Sequence, residues 1–277
     1  MGLWESITNL PQDTTQAFLE AFSGLLAGFV KPLLEVAKVL MTANIDPYSF
    51  ESYWLIIITV ISSLYVIMFL LVGFKFLFGS YDAQQRSEAK EWAKKAVLVV
   101  ISVNASLLIY SLALNLSSVI AGALWSEEFE ALFMVENLGV LDFLWLAFFS
   151  IAVLLAVITL VIRHIYLIVG VMLFPIGLFL NYIDPVKTYG SAILNTLGGA
   201  AFMNVLDVIV LIAVQLFWTE FNYLGIMNIM APALGFLFIA IANTALFVLC
   251  LLKALNAVGI RIDTTTIVKT VAGAALA

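Results

Sequence analysis

Residues 52–78 read SYWLIIITVISSLYVIMFLLVGFKFLF, a long run whose one charge is Lys75. A helix rises about 1.5 Å per residue, so this run reaches roughly 40 Å, past the ~30 Å hydrocarbon core of a bilayer. In water it would have to be wrapped by protein on every side. The remaining sequence offers no such wrapping, because the pattern repeats. A second run covers 96–124, AVLVVISVNASLLIYSLALNLSSVIAGAL. A third begins near Leu141 and stays apolar past Arg163 to Pro175 and beyond, a fourth covers about 190–218 and a fifth about 232–252. With 64% hydrophobic and 11% charged residues, and a mean hydropathy of +1.13, too little polar surface is left to cover a globule. In lipid the backbone must satisfy its own hydrogen bonds, and runs of this length do so as helices. The expected fold is therefore all-α: a polytopic membrane protein with about five transmembrane helices plus N-terminal amphipathic helices.

Region 141–183 admits two readings. It is either two spans hinged at Arg163-His164, or one long helix with a helix break at Gly170 or Pro175. In the second reading PIGLFLNYIDP follows as an interfacial or re-entrant segment. Charge separates the two, since cytoplasmic loops collect Lys and Arg. The linker after the first span holds Arg86, Lys90, Lys94 and Lys95, and the next loop holds Glu127, Glu128, Glu130 and Glu136 with no base. One long helix then leaves Lys187, Lys253, Arg261 and Lys269 on the linker's side; two helices would strand the last three on the other side. The expectation is one long helix, a multi-pass cell-membrane (inner or cytoplasmic membrane) protein, N-terminus out and C-terminus in.

Three regions follow. Residues 1–51 read as an N-terminal amphipathic helical segment outside the membrane core, 52–252 as the transmembrane helical domain and 253–277 as a short C-terminal tail. In the first, Phe18, Phe22, Leu25 and Phe29 form one helical stripe. Gly24 and Gly28 form a G-x-x-x-G that permits close helix contact. Pro32 reads as the start of a second short helix. Phe18, Phe22, Gly24, Gly28 and Phe29 are the candidates for subunit packing, with membrane lipid as the competing partner. The charged linker LFGSYDAQQRSEAKEWAKK begins like a helix, with Asp82 and Gln85 in capping-box spacing and Glu91 and Lys95 an i,i+4 pair. Arg86, Lys90, Lys94 and Lys95 are the candidate docking surface for a cytoplasmic partner. The plainer reading is an interfacial stub leading into the second span.

No catalytic constellation is present. His164 is the one histidine, so H-E-x-x-H cannot form, and no G-x-G-x-x-G, Walker loop or G-x-S-x-G occurs. Cys250 is the one cysteine, which excludes an intrachain disulfide and a cysteine-rich metal site. The expectation is a non-enzyme with no cofactor and no metal. Polarity inside the spans is the informative feature. Asn204, Asp207 and Gln215 share one face of the fourth span, and a carboxylate at bilayer depth must face protein or water. They read either as a pore or ion path, or as an interhelical hydrogen-bonding face whose partner is Asn104, Asn115 or Asn243. Arg163 is expected near the cytoplasmic interface, where its long side chain can snorkel.

GFKFLFGSYDAQQRSEAKEWAKKAVLVVISVNASLLIYSLALNLSSVI and RHIYLIVGVMLFPIGLFLNYIDPVKTYG together resemble two segments of the TrbL-like family. These are polytopic inner-membrane components of type IV secretion and conjugation systems. The chain is most similar to the compact archaeal members of the CedA type, which import DNA. The resemblance spans about 52–252 and implies a membrane channel or platform subunit of a conjugation-like DNA translocation machine, working in import or export. It implies a homo-oligomer, a pentamer or similar, a cytoplasmic ATPase partner, DNA as cargo and a possible pilus. Two readings stand beside it: a secondary transporter or ion channel that uses Asp207 as its coupling carboxylate, and a structural scaffold for a pilus. A transporter built from inverted repeats would show broken helices in both halves, and the sequence offers a candidate in only one.

Overall fold

The computed structural model describes residues 12–78, 83–125, 140–221 and 227–257. Among them there is no strand, and the fold is all-α. The helices are α1 (Gln12–Thr42), α2 (Glu51–Phe78), α3 (Ala83–Asn104), α4 (Ser106–Leu124), α5 (Val140–Asn181), α6 (Lys187–Phe221) and α7 (Met227–Ala257), with short 3-10 turns at Pro47–Phe50 and Asp184–Val186. Among the described residues, five segments are long and apolar enough to cross a membrane: Pro47–Phe78, Ser106–Leu124, Trp145–Asn181, Lys187–Phe217 and Met230–Cys250. This is a polytopic membrane architecture, and its five segments fall on the five apolar runs of the sequence.

The chain folds as two compact units. The first comprises Met1–Asn44, Asn115–Ile165 and Phe202–Thr244. Its core joins Val30, Ala37 and Met41 of α1 to Phe149, Val153 and Leu160 of α5, Val208 and Leu211 of α6, and Phe236 and Ile239 of α7. The Phe149 and Phe236 rings meet edge-on, 6.0 Å apart, a geometry favoured by the ring quadrupole. α1 inserts Val30, Ala37 and Met41 into this core. One expectation for the N-terminus is corrected here: Pro32 does not start a new helix, since α1 runs through it. A proline in a helix interior removes one backbone bond and presses on the carbonyl four residues back, here that of Gly28.

The second unit comprises Ile45–Leu114, Tyr166–Ala201 and Ala245–Ala277. Ile58, Ile61 and Tyr65 of α2 pack with Val99 and Val103 of α3 and Phe179 of α5. A second cluster sets Tyr110 and Leu114 of α4 against Leu167 and Val171 of α5 and Leu197, Ala200 and Ala201 of α6. Between α3 and α4 the chain kinks at Ala105 without leaving the helical ladder. Ala105 N–H still donates to Ile101 at 2.9 Å, and Ile109 N–H donates to Ala105 at 3.0 Å. Trp54 Nε1–H bonds the Ser106 hydroxyl at 2.8 Å and ties α2 to this kink.

The long-helix reading of 141–183 holds, but the helix break at Gly170 and Pro175 does not. α5 continues through both to Asn181, so PIGLFLNYIDP is largely the end of that helix and not a re-entrant segment. Residues 170–181 include no exposed side chain. Packing along this half-buried to buried stretch holds the helix where the proline removes one backbone bond, as enclosed membrane helices permit. Gly170 has a different use. A Cβ there would fall on the Tyr110 hydroxyl and Leu197, so the glycine makes room for Tyr110 to donate to the Leu167 carbonyl at 2.8 Å. A Cβ on Gly190 would fall on the Asn181 backbone N and lie 2.6 Å from the Gly177 carbonyl. The α5–α6 hairpin is thus closed by backbone-to-backbone approach.

Candidate functional site

Each of α5, α6 and α7 carries its most polar interior residues at one level. Between residues 145 and 181 the one charged residue is Arg163, between 188 and 217 it is Asp207, and between 230 and 250 there is none. Asn204 and Asp207 lie three apart on α6, so their side chains leave the same face. Asn243 is on α7. All four are buried, Arg163 and Asp207 to 1% exposure.

They meet around the guanidinium. Arg163 Nη1–H donates to Asp207 Oδ2, closing an ion pair, and also to Asn243 Oδ1 at 2.8 Å. Arg163 Nη2–H donates to Asn204 Oδ1. Asn243 Nδ2–H then donates to Asp207 Oδ1 at 3.0 Å and to the Ile239 carbonyl at 3.0 Å. Both carboxylate oxygens are therefore engaged, one by the cation and one by the amide. The pair is electrically neutral, which offsets part of the several kcal/mol per ion that desolvation costs. Its forked, planar donor suits several acceptors at once.

The Arg163 side chain is thus turned into the protein interior and paired, where snorkelling would have sent it outward. Exposed apolar side chains flank the cluster on every helix: Ile158 and Ile165 around Arg163, Phe202 and Ile209 around Asp207, Phe238 and Ile241 before Asn243 and Val248 after it. A charge at that depth needs a counter-charge, and Asp207 supplies it. Of the three residues read as one polar face, Asn204 and Asp207 join the cluster. Gln215, half-buried and about 12 Å further along α6 at 1.5 Å per residue, does not. Of the three asparagines offered as partners, Asn243 is the one used. Asn104 is exposed and bonds back to the Val100 carbonyl at 2.7 Å.

The other candidate residues fall as follows. Arg86, Lys90 and Lys94 are exposed on the first turns of α3. Lys95 pairs with Asp184 at 3.4 Å and not with Glu91. Lys75 rests 4.1 Å from the centre of the Trp92 ring. Asp82 of the expected capping box lies outside the described residues. On α1, Gly24 and Gly28 are exposed, and no atom lies within 4 Å of a Cβ built on either. Leu25 is 72% and Phe29 50% exposed. The side chains of Phe18 and Phe22 lie outside the described residues. Among the described residues no group of His, Cys, Asp and Glu could hold a metal ion.

The chain was compared with protein-family models, with curated proteins and with solved structures, and it matches none of them.

The cluster missed by sequence reasoning is centred on Arg163. The signal that finds it is pairing: the long α5 and α6 runs carry one charge each, of opposite sign, and buried charges in lipid seek each other.

Proposed function

We propose that this protein is a subunit of a membrane channel or platform in a conjugation-like DNA translocation machine, acting as a homo-oligomer in the cell membrane. The observation that carries this reading is the engagement of Asp207. The carboxylate read as a possible coupling group is occupied by Arg163 and Asn243 within one chain. A group so held is poorly placed to bind and release an ion at each cycle, which weighs against the single-chain transporter. Conduction by a chain of this kind then falls to a passage between several copies. The cargo comes from the resemblance of 73–120 and 163–190 to TrbL-like proteins: DNA, imported or exported, with a cytoplasmic ATPase supplying the energy the chain has no motif to harvest. The exposed bases Arg86, Lys90 and Lys94 on α3 are the proposed ATPase-facing surface, N-terminus out and C-terminus in.

Particle images of the purified protein in detergent or nanodiscs test this. A symmetric ring with a central opening supports the conduit. A closed monomer or dimer sinks it and returns the transporter to favour.

A further inference from the structure

Along α6 one helical face changes character partway. Thr188, Ser191, Asn195 and Gly198 recur at i, i+3, i+7 and i+10, and the same stripe continues as Phe202, Leu206 and Ile209. Thr188, Asn195 and Gly198 are exposed and Ser191 is half-buried. Beyond Gly198 the exposed face is large and apolar. Before it, no exposed large hydrophobic occurs among the described residues from 170 to 201.

The rest of the second unit sets the contrast. α2, in that unit, exposes large apolar side chains along nearly its whole length, among them Ile56, Val60, Ile67, Leu71 and Phe78. That is the surface of a helix in lipid. The α6 stripe belongs to an apolar spanning segment, Lys187–Phe217, and yet offers hydroxyls, an amide and a bare backbone. Asn195 Nδ2–H reaches the Ser191 hydroxyl at 3.3 Å, and Asn195 itself is exposed. At Gly198 the space above the backbone is open, with nothing within 4 Å of a Cβ.

We propose that the Thr188–Ser191–Asn195–Gly198 face of α6 lines the aqueous passage between copies, with α2 turned to lipid. This rests on the conduit reading and names the surface that forms it. The chemistry suits a polyanion in transit. Lysines along the path would bind phosphates strongly in a salt-dependent way, and carboxylates would repel them. Uncharged hydroxyls and amides do neither, while keeping the wall wet. The Asn204–Asp207 pair, read as either a pore face or an interhelical face, is excluded from lining by its burial, and the proposed lining lies roughly two to four turns nearer the start of α6.

The test uses the full-length protein with Cys250→Ser, reconstituted in sealed vesicles and planar bilayers. Asn195→Cys and Gly198→Cys are compared with Leu206→Cys, on the same helical face. The reagent is a charged, membrane-impermeant thiosulfonate, which attacks the thiolate; that form exists in water and is suppressed in hydrocarbon. The expected result is labelling of Asn195→Cys and Gly198→Cys at least about tenfold faster than Leu206→Cys. Attachment of a bulky charged group at Asn195→Cys is expected to abolish most of the ionic conductance. Labelling no faster than Leu206→Cys overturns the proposal, because the face is then covered by lipid or protein. Fast labelling with conductance unchanged after complete modification also overturns it, because the face is then wet but off the path. Absence of conductance from the unmodified protein sinks the conduit reading and the lining role with it, while the labelling contrast still reports whether the face is wet.

Discussion

Arg163 and Asp207 form an ion pair whose two members cannot be altered independently. Removing one partner leaves an uncompensated charge in an apolar interior, which costs about 3–5 kcal/mol. Asp207→Leu is therefore expected to lower the thermal unfolding temperature in detergent sharply. Asp207→Asn keeps an acceptor but not the charge, and is expected to fall between wild type and Asp207→Leu. Arg163→Met combined with Asp207→Leu removes both charges and is expected to recover part of the loss. A double-mutant cycle read by thermal unfolding checks this; additive effects in the double variant would show that the two do not act as a pair. Half of this site was legible in the sequence. Asp207 announced itself as a carboxylate in an apolar run, and Asn204 followed from its spacing. Arg163 did not, because a long basic side chain in a membrane helix is equally compatible with snorkelling. Its height on α5 depends on how far that helix extends, which the sequence left ambiguous.

The helices themselves were more legible than their ends. The five apolar runs became five spanning segments because their length admits little else in lipid. The errors came from proline and glycine. Pro32 and Pro175 read as boundaries, and both lie inside unbroken helices. Local sequence reports the lost hydrogen bond, but not the packing that holds the helix regardless. Gly24 and Gly28 read as the close-contact pair, whereas among the described residues the close contacts fall on Gly170, Gly177, Gly190 and Gly235. Gly190→Leu would drive a side chain into the Asn181 backbone, and backbone cannot rotate aside as a side chain can. It is expected to prevent the α5–α6 hairpin from closing, with loss of the folded, monodisperse peak on size exclusion. Pro175→Ala restores a backbone donor in a helix interior, where proline costs about 3 kcal/mol relative to alanine. It is expected to leave unfolding temperature equal or higher. A marked drop would mean that the proline is required where it stands.

At the scale of the whole molecule, the proposed orientation and assembly are tested separately. The basic residues Lys75, Arg86, Lys90, Lys94, Lys95, Lys253, Arg261 and Lys269 are eight of the twelve Lys and Arg, and the positive-inside rule sends them to the cytoplasm. In a Cys250→Ser background, impermeant labelling of intact cells is expected at Ser126→Cys and not at Ser87→Cys; the reverse pattern overturns the orientation. The proposed assembly is tested on α1. Truncating residues 1–42 is the wrong probe, because it removes Val30, Ala37 and Met41 from the chain's own core and would unfold the protein whether or not α1 meets another subunit. Gly24 and Gly28 offer a cleaner one. A Cβ on either meets nothing among the described residues, so Gly24→Leu with Gly28→Leu is expected to leave the monomer's packing intact. If copies associate through this notch, the new side chains overpack the contact by about 1–3 kcal/mol each, enough to dissociate a marginal oligomer. The expected result is a shift to monomer by mass photometry or crosslinking, with the unfolding temperature of the subunit unchanged. An oligomer of the same size and detergent resistance would assign the α1 face to lipid, and copies would then have to meet through another surface.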